Sequence, residues 1–477
     1  MKDQSLPNDG LTRRQALAGA AALGSVPVAS GVMAAAAPEA AAATASGGRR
    51  PAHDLRKMLA EISPANIERT ILKLVSFGTR NTLSSQDDPV RGIGAARDWL
   101  FEEFKKAAAP SGGRMTVELQ TFIQPVTLPR IPVPTPITNV VATLRGSQPE
   151  SAARTYVVSG HYDSMPTSVT DFTSDAPGAN DDASGVAAVL EMARVMATRE
   201  FDATIVFMAV AGEEQGLLGA AHFAQQARAQ NVNLAGMFTN DIIGSSLGQN
   251  GIRDPFSVRI FAEGLARTAA PVEADWRRFG GHETESVSRQ LARYVKEVAE
   301  NSATRMKVNI IYRRDRFGRG GDHIPFLDQG WAAARFSEAN EDWRHQHQDV
   351  RVVDGVQWGD LPEFVDYDYI ARVARVNAIA LASLARSPAA PAGAVMDVRG
   401  FQTDTALRWT ANTEPDLAGY EIVQRATTEP EWTKTIEVGN VTSVSLQNLF
   451  KDNYLFGVRA VDRSGNRSPV SFPRPAT

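Results

Sequence analysis

The chain contains no cysteine, and this absence limits the kind of site that it can carry. Disulfide bonds, thiolate metal sites and cysteine nucleophiles are all excluded. A bound metal ion would therefore have to be held by histidine, aspartate and glutamate side chains. Histidine is also scarce, with 7 in 477 residues, so each histidine near a group of acidic residues is a candidate ligand.

The sequence has no marked excess of charge of either sign. Its 50 lysine and arginine residues nearly balance its 54 aspartate and glutamate residues, which gives a net charge of -4. A nucleic-acid-binding protein usually shows a concentrated basic face, so we expect no nucleic-acid partner. The length of 477 residues exceeds what one ordinary core accommodates, and we expect more than one domain.

A weakly apolar run near the N-terminus follows a pair of arginines. Residues 12–15 read Thr-Arg-Arg-Gln, residues 16–33 carry no charge, and residues 34–45 are rich in alanine. The pattern resembles a twin-arginine export signal with its cleavage region, which we assign to residues 1–45. A membrane anchor is the alternative, but glycine and proline make the run a poor bilayer span. We predict export to the periplasm or the extracellular space, with no stable membrane span in the mature protein.

Four short apolar runs, typical of buried strands, are each followed by candidate metal ligands. Alternation of such runs with loops and helical patterns predicts an α/β domain over residues 49–386, with a doubly wound, mostly parallel sheet and helices on both faces. Ligands bind beyond the carboxyl ends of the strands in such sheets. The runs and their ligands are Thr155–Ser159 with His161, Asp163, Asp181 and Asp182; Thr204–Val210 with Glu213 and Glu214; Met237–Asn240 with Asp241; and Ala332–Phe336 with His345, His347 and Asp349.

The last part of the chain has a different pattern. Residues 387–393 read Ser-Pro-Ala-Ala-Pro-Ala-Gly and are interpreted as a linker. Residues 394–477 contain short strand-like runs separated by turn residues, which predicts a small all-β sandwich resembling a fibronectin type III domain. We expect this domain to be an accessory that contributes no site residue and contacts an envelope component or a substrate polymer.

Two imidazoles and four carboxylates at the ends of predicted strands are enough for two metal ions and a general base. A two-metal hydrolase needs one carboxylate that bridges both ions, further ligands on each ion, and one uncoordinated carboxylate that takes a proton from the attacking water. The number and type of these side chains match that requirement.

Five motifs, in order along the chain, resemble those of the co-catalytic dizinc aminopeptidases. They are G-H-x-D-S at 160–164, N-D-D-x-S-G at 180–185, G-E-E at 212–214, N-D-x-I-G at 240–244 and H-x-x-x-D at 345–349, and the resemblance covers about residues 54–386. It implies two Zn²⁺ ions, with Asp181 as the bridge, His161 and Asp241 on one ion, and Glu214 and His345 on the other. Glu213 would be the free base, Asp163 would accept a hydrogen bond from the His161 ring, and the Asp181–Asp182 peptide would be cis.

Three assignments have alternatives. Asp182 could replace Asp181 as the bridge, and His347 could replace His345 as the last ligand, although the spacing to the following aspartate favours His345. His323, in the glycine-rich stretch 318–326, either lines the pocket or makes a structural hydrogen bond.

The predicted function is an exported zinc exopeptidase that removes N-terminal residues from peptide or protein substrates. A carboxypeptidase of the glutamate-releasing type, a one-metal glutaminyl cyclase and a non-catalytic binding protein on the same fold are the alternatives. Arg344 stands where some relatives carry a tyrosine that holds the oxyanion. Four arginines at 313, 314, 316 and 319 either bind a carboxylate of the substrate or form a solvated basic loop.

Overall fold

The strands at the centre of the large sheet are the runs that the sequence marks as almost wholly apolar. The computed structural model describes residues 52–267 and 269–476. Strands covered on both faces have to be apolar on both faces, which explains the continuous apolar runs. The eight strands are β1 (Met115–Gln124), β2 (Thr135–Leu144), β3 (Arg154–His161), β4 (Thr204–Val210), β5 (Asn233–Asn240), β6 (Ser257–Ala262), β7 (Lys307–Ile311) and β8 (Ala333–Glu338).

The order of strands in the sheet is β1-β2-β4-β3-β5-β8-β6-β7. Strands β4, β3, β5 and β8 run parallel to one another. Antiparallel pairs occur on both sides of this centre: β2 pairs antiparallel with both β1 and β4, and β6 pairs antiparallel with β8. The carboxyl ends of the four central strands therefore lie at one edge of the sheet, where the predicted ligands follow them.

Helices cover both faces of this sheet, as predicted. One face packs into a large core with α1, α2, α3, α4, α7 and α9, and the other into a smaller core with α5 and α8. The helices are α1 (His53–Ala60), α2 (Pro64–Val75), α3 (Ile93–Ala108), α4 (Ala183–Met196), α5 (Leu218–Ala229), α6 (Pro271–Phe279), α7 (Val287–Ala299), α8 (His323–Asp328) and α9 (Tyr367–Arg386). The doubly wound α/β prediction is confirmed.

Two smaller β structures complete the chain. A hairpin, β9 (Arg351–Val353) and β10 (Val356–Trp358), lies between β8 and α9. The C-terminal strands form a four-stranded sheet, β15-β12-β11-β17, and a three-stranded sheet, β14-β13-β16, which share a core around Trp409 and Tyr420. They are β11 (Val395–Asp397), β12 (Thr405–Arg408), β13 (Leu417–Ala426), β14 (Lys434–Gly439), β15 (Ser443–Leu446), β16 (Tyr454–Asp462) and β17 (Arg474–Ala476). The predicted β sandwich is present, and its resemblance to fibronectin type III stays a prediction.

Buried ion pairs join the sandwich to the α/β part. Arg154, the first residue of β3, lies 3.2 Å from Glu414 of the sandwich. Glu285 lies between Arg293 of α7, at 3.0 Å, and Arg425 of β13. Both parts belong to one compact unit, and the exact domain boundaries stay predictions.

The proposed leader at residues 1–45 lies outside the described residues. In the part of the chain that the structure does describe, none of the helices has the length and apolar character needed to cross a bilayer.

Candidate metal centre

The first histidine of the site is placed by the end of strand β3. His161 is the last residue of that strand and is buried. Its Nδ1 donates to the backbone carbonyl of Asp163 at 3.1 Å, which fixes the ring so that Nε2 faces Asp181 Oδ1, also at 3.1 Å. A hydrogen-bonded second nitrogen is the usual way in which a metal-binding imidazole is oriented.

The two adjacent aspartates have different roles. Asp182 caps α4: its Oδ1 accepts the N–H of Gly185 at 3.0 Å and its Oδ2 accepts the N–H of His161, also at 3.0 Å. Asp181 instead directs its two oxygens towards two histidines, with Oδ1 near His161 and Oδ2 at 3.0 Å from His347 Nε2. The peptide between the two aspartates is cis, as predicted. This geometry favours Asp181 over Asp182 as the bridge.

A buried carboxylate that the sequence analysis missed supports the Asp181 backbone. Asp360, in the segment after β10, accepts the N–H of Asn180 at 2.8 Å and that of Asp181 at 2.7 Å. Burial raises the pKa of Asp360 to about 8. The Asn180 amide is held in turn by Glu338, which accepts from its Nδ2 at 2.9 Å. The loop that presents Asp181 is therefore fixed from two sides.

The two glutamates after β4 are held by Asp163. Its carboxylate accepts the N–H of Glu213 at 3.3 Å, the N–H of Glu214 at 3.1 Å and the hydroxyl of Thr82 at 3.1 Å. The same carboxylate is 3.6 Å from His161 Nδ1, beyond hydrogen-bond distance. Asp163 thus orients His161 through its backbone carbonyl, whereas its side chain positions the glutamates.

The structure brings His347, not the predicted His345, to the cluster. His347 Nε2 lies 3.0 Å from Asp181 Oδ2 and 3.0 Å from Glu214 Oε2. His345 instead stacks on Phe364, with ring centroids 3.6 Å apart. The choice of His345 therefore has to be corrected.

Local backbone geometry explains this correction. A short 3₁₀ turn at Trp343–His345, capped by Asp342, directs His345 away from the cluster. His347 adopts a left-handed conformation with φ of 50°, which turns its ring inward. Asp349, which suggested the spacing, accepts the N–H of Thr167 at 3.0 Å. The residue directly before the site histidine is Gln346. Arg344 therefore does not stand at the position where some relatives carry a tyrosine.

Asp241 follows β5 and is paired with an arginine that the sequence analysis missed. Arg335 of β8 is fully buried, and its Nη2 lies 2.7 Å from Asp241 Oδ1. Its Nη1 lies 3.2 Å from Asp315 Oδ2. The ligand atoms of Asp241, His161 and Glu213 all lie within 4.8 Å of one another. A second group, formed by His161, Asp181 and Glu214, meets the same limit.

The electrostatics of the cluster suit a bound cation. Burial raises the pKa of Glu213 well above its usual value, with Asp241 and Glu214 adding to the effect. Burial would also raise the pKa of Asp181, but its contacts with His161 and His347 hold that pKa well below its ordinary value. Carboxylates outnumber the positive groups around them, and a divalent cation would balance this excess.

Two further buried groups lie on the glycine-rich stretch. Neither oxygen of Asp322 has a hydrogen-bond partner among the described residues, and burial raises the pKa of this carboxyl to about 7. His323 Nε2 donates to the Arg314 carbonyl at 2.8 Å, and burial lowers the pKa of His323 to about 4. The structural interpretation of His323 is therefore favoured.

Comparisons with known proteins agree on the family to which this chain is similar. The sequence model of Peptidase family M28 matches residues 139–366. A probable zinc metalloprotease of Leptosphaeria maculans is 50% identical over 425 residues, which cover 89% of this chain and 98% of the relative. The chain belongs to peptidase family M28. A second probable zinc metalloprotease, from Pyricularia oryzae, is 51% identical over 431 residues, covering 89% of this M28 chain and 85% of the relative.

Among solved structures, the aminopeptidase from Aneurinibacillus sp. strain AM-1 superposes with a TM-score of 0.49 at 15% identity. The match covers 70% of the M28 chain and 96% of the aminopeptidase.

The protein is thus an M28 zinc metalloprotease, and its donor set fits zinc. Imidazole nitrogens and carboxylate oxygens are the ligands that zinc takes when no thiolate is present. Glu214 Oε1 is buried and has no hydrogen-bond partner in the part of the chain that is described, so this oxygen is available to a cation. The residues that could hold zinc are His161, Asp181, Glu214, Asp241 and His347.

Proposed function

We propose that this M28 peptidase is an exopeptidase with two zinc ions that removes N-terminal residues from peptides. The observation that carries the proposal is the position of Asp181, whose two oxygens face two different histidines at 3.1 and 3.0 Å. Asp241 lies on the His161 side and Glu214 on the His347 side. A carboxylate shared between two donor sets is what a two-metal hydrolase requires.

Glu213 is the side chain best placed to move protons. Zinc, when bound, acts as a Lewis acid and lowers the pKa of water. Glu213 is partly exposed to solvent, and the burial of its surroundings together with the neighbouring carboxylates raises its pKa. A carboxylate with a raised pKa is suited to accept a proton from water and return it to the leaving amine. Asp163 keeps Glu213 in place through the backbone N–H.

The charges around the site support attack at the N-terminus. The excess of carboxylates favours an α-ammonium group, whereas a carboxypeptidase needs an available cation for the C-terminal carboxylate. Of the four arginines of the nearby loop, two are already paired with carboxylates and Arg319 contacts the ring of His347. Arg314 binds Glu263 at 2.8 Å and Asp328 at 2.6 Å, and Arg316 binds Glu341 at 2.7 Å.

A panel of three substrates tests this proposal. We expect zinc-loaded protein to hydrolyse aminoacyl anilides and to leave N-blocked peptides intact. Hydrolysis of N-blocked peptides alone would indicate a carboxypeptidase, and ring closure of N-terminal glutaminyl peptides without hydrolysis would indicate a cyclase. Absence of all three activities in zinc-loaded protein would favour the binding-protein alternative.

We also propose that the protein is exported, on the basis of the arginine pair and the uncharged run at residues 12–33. The test is fractionation of the native host, with N-terminal sequencing of the mature protein. Recovery of the full-length chain inside the cell alone would contradict export.

A further inference from the structure

The two histidines of the metal centre have opposite kinds of partner on their second ring nitrogen. His161 Nδ1 faces the carbonyl oxygen of Asp163 at 3.1 Å, which is a hydrogen-bond acceptor. His347 Nδ1 faces Arg319 Nη1 at 2.7 Å. A guanidinium group has five N–H donors and no acceptor. The two halves of the site are therefore not equivalent.

This difference determines how readily each ring can bind a metal ion. A neutral imidazole that offers the Nε2 lone pair to zinc carries its hydrogen on Nδ1, and it is stabilised when Nδ1 has an acceptor. His161 has such an acceptor. His347 can accept from Arg319 only when its hydrogen is on Nε2, where it donates to Asp181 and Glu214, both at 3.0 Å. Arg319 thus stabilises the form of His347 that does not bind zinc.

Arg319 is placed so that it can leave His347. It lies between Gly318, which has φ of 67°, and Gly320, so the backbone on both sides is permissive. Within the described residues no carboxylate pairs with Arg319, whereas Arg314 and Arg316 of the same loop are both paired. Its guanidinium also makes a cation–π contact with the ring of Trp343, which is about half exposed.

We propose that Arg319 lowers the affinity of the second zinc position, the one formed by His347 and Glu214. The guanidinium competes with the ion for His347 and has to move away when that ion binds. At the position formed by His161 and Asp241 the histidine has an acceptor on its second nitrogen, and Arg335 donates to Oδ1 of Asp241 rather than to the imidazole, so this position fills first. This inference rests on the two-zinc function proposed above.

The test is a zinc titration of the full-length, metal-free protein against a chromophoric chelator, which yields two dissociation constants without measuring turnover. In Arg319→Gln the side-chain carbonyl can accept from His347 Nδ1–H. We expect this variant to bind the second ion about 10- to 100-fold more tightly, the range typical of partners on a ligand's second nitrogen. The first dissociation constant should not change.

Two further variants separate the contact from the charge. Arg319→Lys keeps a donor-only cation and should stay close to the wild type. Arg313→Gln removes one positive charge from the same loop, where Arg313 lies over the Phe317 ring 3.7 Å from its centroid. It should also behave like the wild type. Thermal unfolding of the metal-free variants verifies that each is folded.

Several results would overturn the proposal. Unchanged or weaker second binding in Arg319→Gln would do so, as would equal tightening in Arg313→Gln, which would reveal an effect of overall charge. If neither the wild type nor Arg319→Gln bound a second ion, Arg319 would not be limiting. That last outcome would also refute the two-zinc function, whereas the first two would leave it intact.

Discussion

The side chains of this site are either metal ligands or groups that hold the ligands in place. Glu213 is the residue whose role, as ligand or as general base, most needs a test. One of its oxygens lies within 4.8 Å of ligand atoms of His161 and Asp241, so Glu213 could bind the metal ion instead of acting as the general base. For Glu213→Gln we expect turnover of an aminoacyl anilide to fall by about 10²- to 10⁴-fold, the usual contribution of a general base. Zinc per chain, measured by atomic emission, should not change. Glu214→Gln is the comparison, because it should lose zinc as well; loss of zinc in Glu213→Gln would make Glu213 a ligand.

His347 and His345 lie two residues apart in the chain and allow a matched pair of substitutions. His347→Ala removes the ring that contacts Asp181 and Glu214, so we expect loss of zinc and of turnover. His345→Ala removes a ring that stacks on Phe364 and contacts none of the cluster residues named above, so zinc content should stay and stability should fall by about 1 kcal/mol. Zinc analysis and thermal unfolding distinguish the two. The reverse pattern would restore His345 as the ligand.

The sequence permitted prediction of those site residues that directly follow apolar strands. His161, Glu213 and Asp241 were found in this way, because a strand end fixes where the next side chains lie. Arg335 was missed because it stands inside an apolar run, and Asp360 because its partners are about 180 residues away in the chain. His347 was misassigned because spacing along the chain does not reveal the left-handed turn that directs its ring.

Whole helices and strands were easier to predict from the sequence than contacts between residues that are distant in the chain. The run Thr204–Val210 is β4 without change, and the run Thr155–Ser159 lies within β3. Strand β6 was missed because Arg259 interrupts its apolar pattern, and α6 because its short, charged sequence carries little apolar periodicity. Neither element holds a predicted ligand, so these omissions did not affect the proposed site.

Helix α8 begins with a histidine that should make stability depend on pH. Burial keeps the folded-state pKa of His323 at about 4, below its ordinary value of 6.5. Between these values the unfolded chain binds a proton that the folded protein does not, so stability falls as pH decreases from 6.5 towards 4. The full effect of this difference is about 3 kcal/mol.

The measurement is urea unfolding of the metal-free protein between pH 7 and pH 4, so that loss of zinc does not contribute. His323→Gln should flatten the decline in stability with falling pH, whatever its stability at pH 7. His53→Gln, the same change at an exposed position in α1, should keep the wild-type slope. Equal slopes in all three proteins would show that His323 is not the cause.

Buried charged side chains connect the two parts of the molecule. Arg154 and Glu414 are both buried, and they join the α/β part to the sandwich. Arg154 also donates to the carbonyl of Ser387, and Glu414 accepts the N–H of Ala389, so the segment after α9 is fixed by the same contact. The sandwich is accordingly expected to stabilise the peptidase while contributing no ligand to the metal centre.

The substitution Glu414→Gln tests this coupling, because it leaves Arg154 buried without a neighbouring negative charge while an amide oxygen can still accept from Ala389. Breaking a buried pair on one side costs about 3 kcal/mol or more, so we expect a clear decrease in the free energy of unfolding. Asp397→Asn is the control within the same sandwich: its pair with Arg399 is exposed, so its loss should leave the free energy of unfolding almost unchanged. Folded, zinc-loaded Glu414→Gln should hydrolyse an aminoacyl anilide with an unchanged kcat, since the sandwich residues named here lie outside the ligand groups. A normal stability would show that Arg154 finds another partner, and a lower kcat in fully folded protein would show that the sandwich acts on the site.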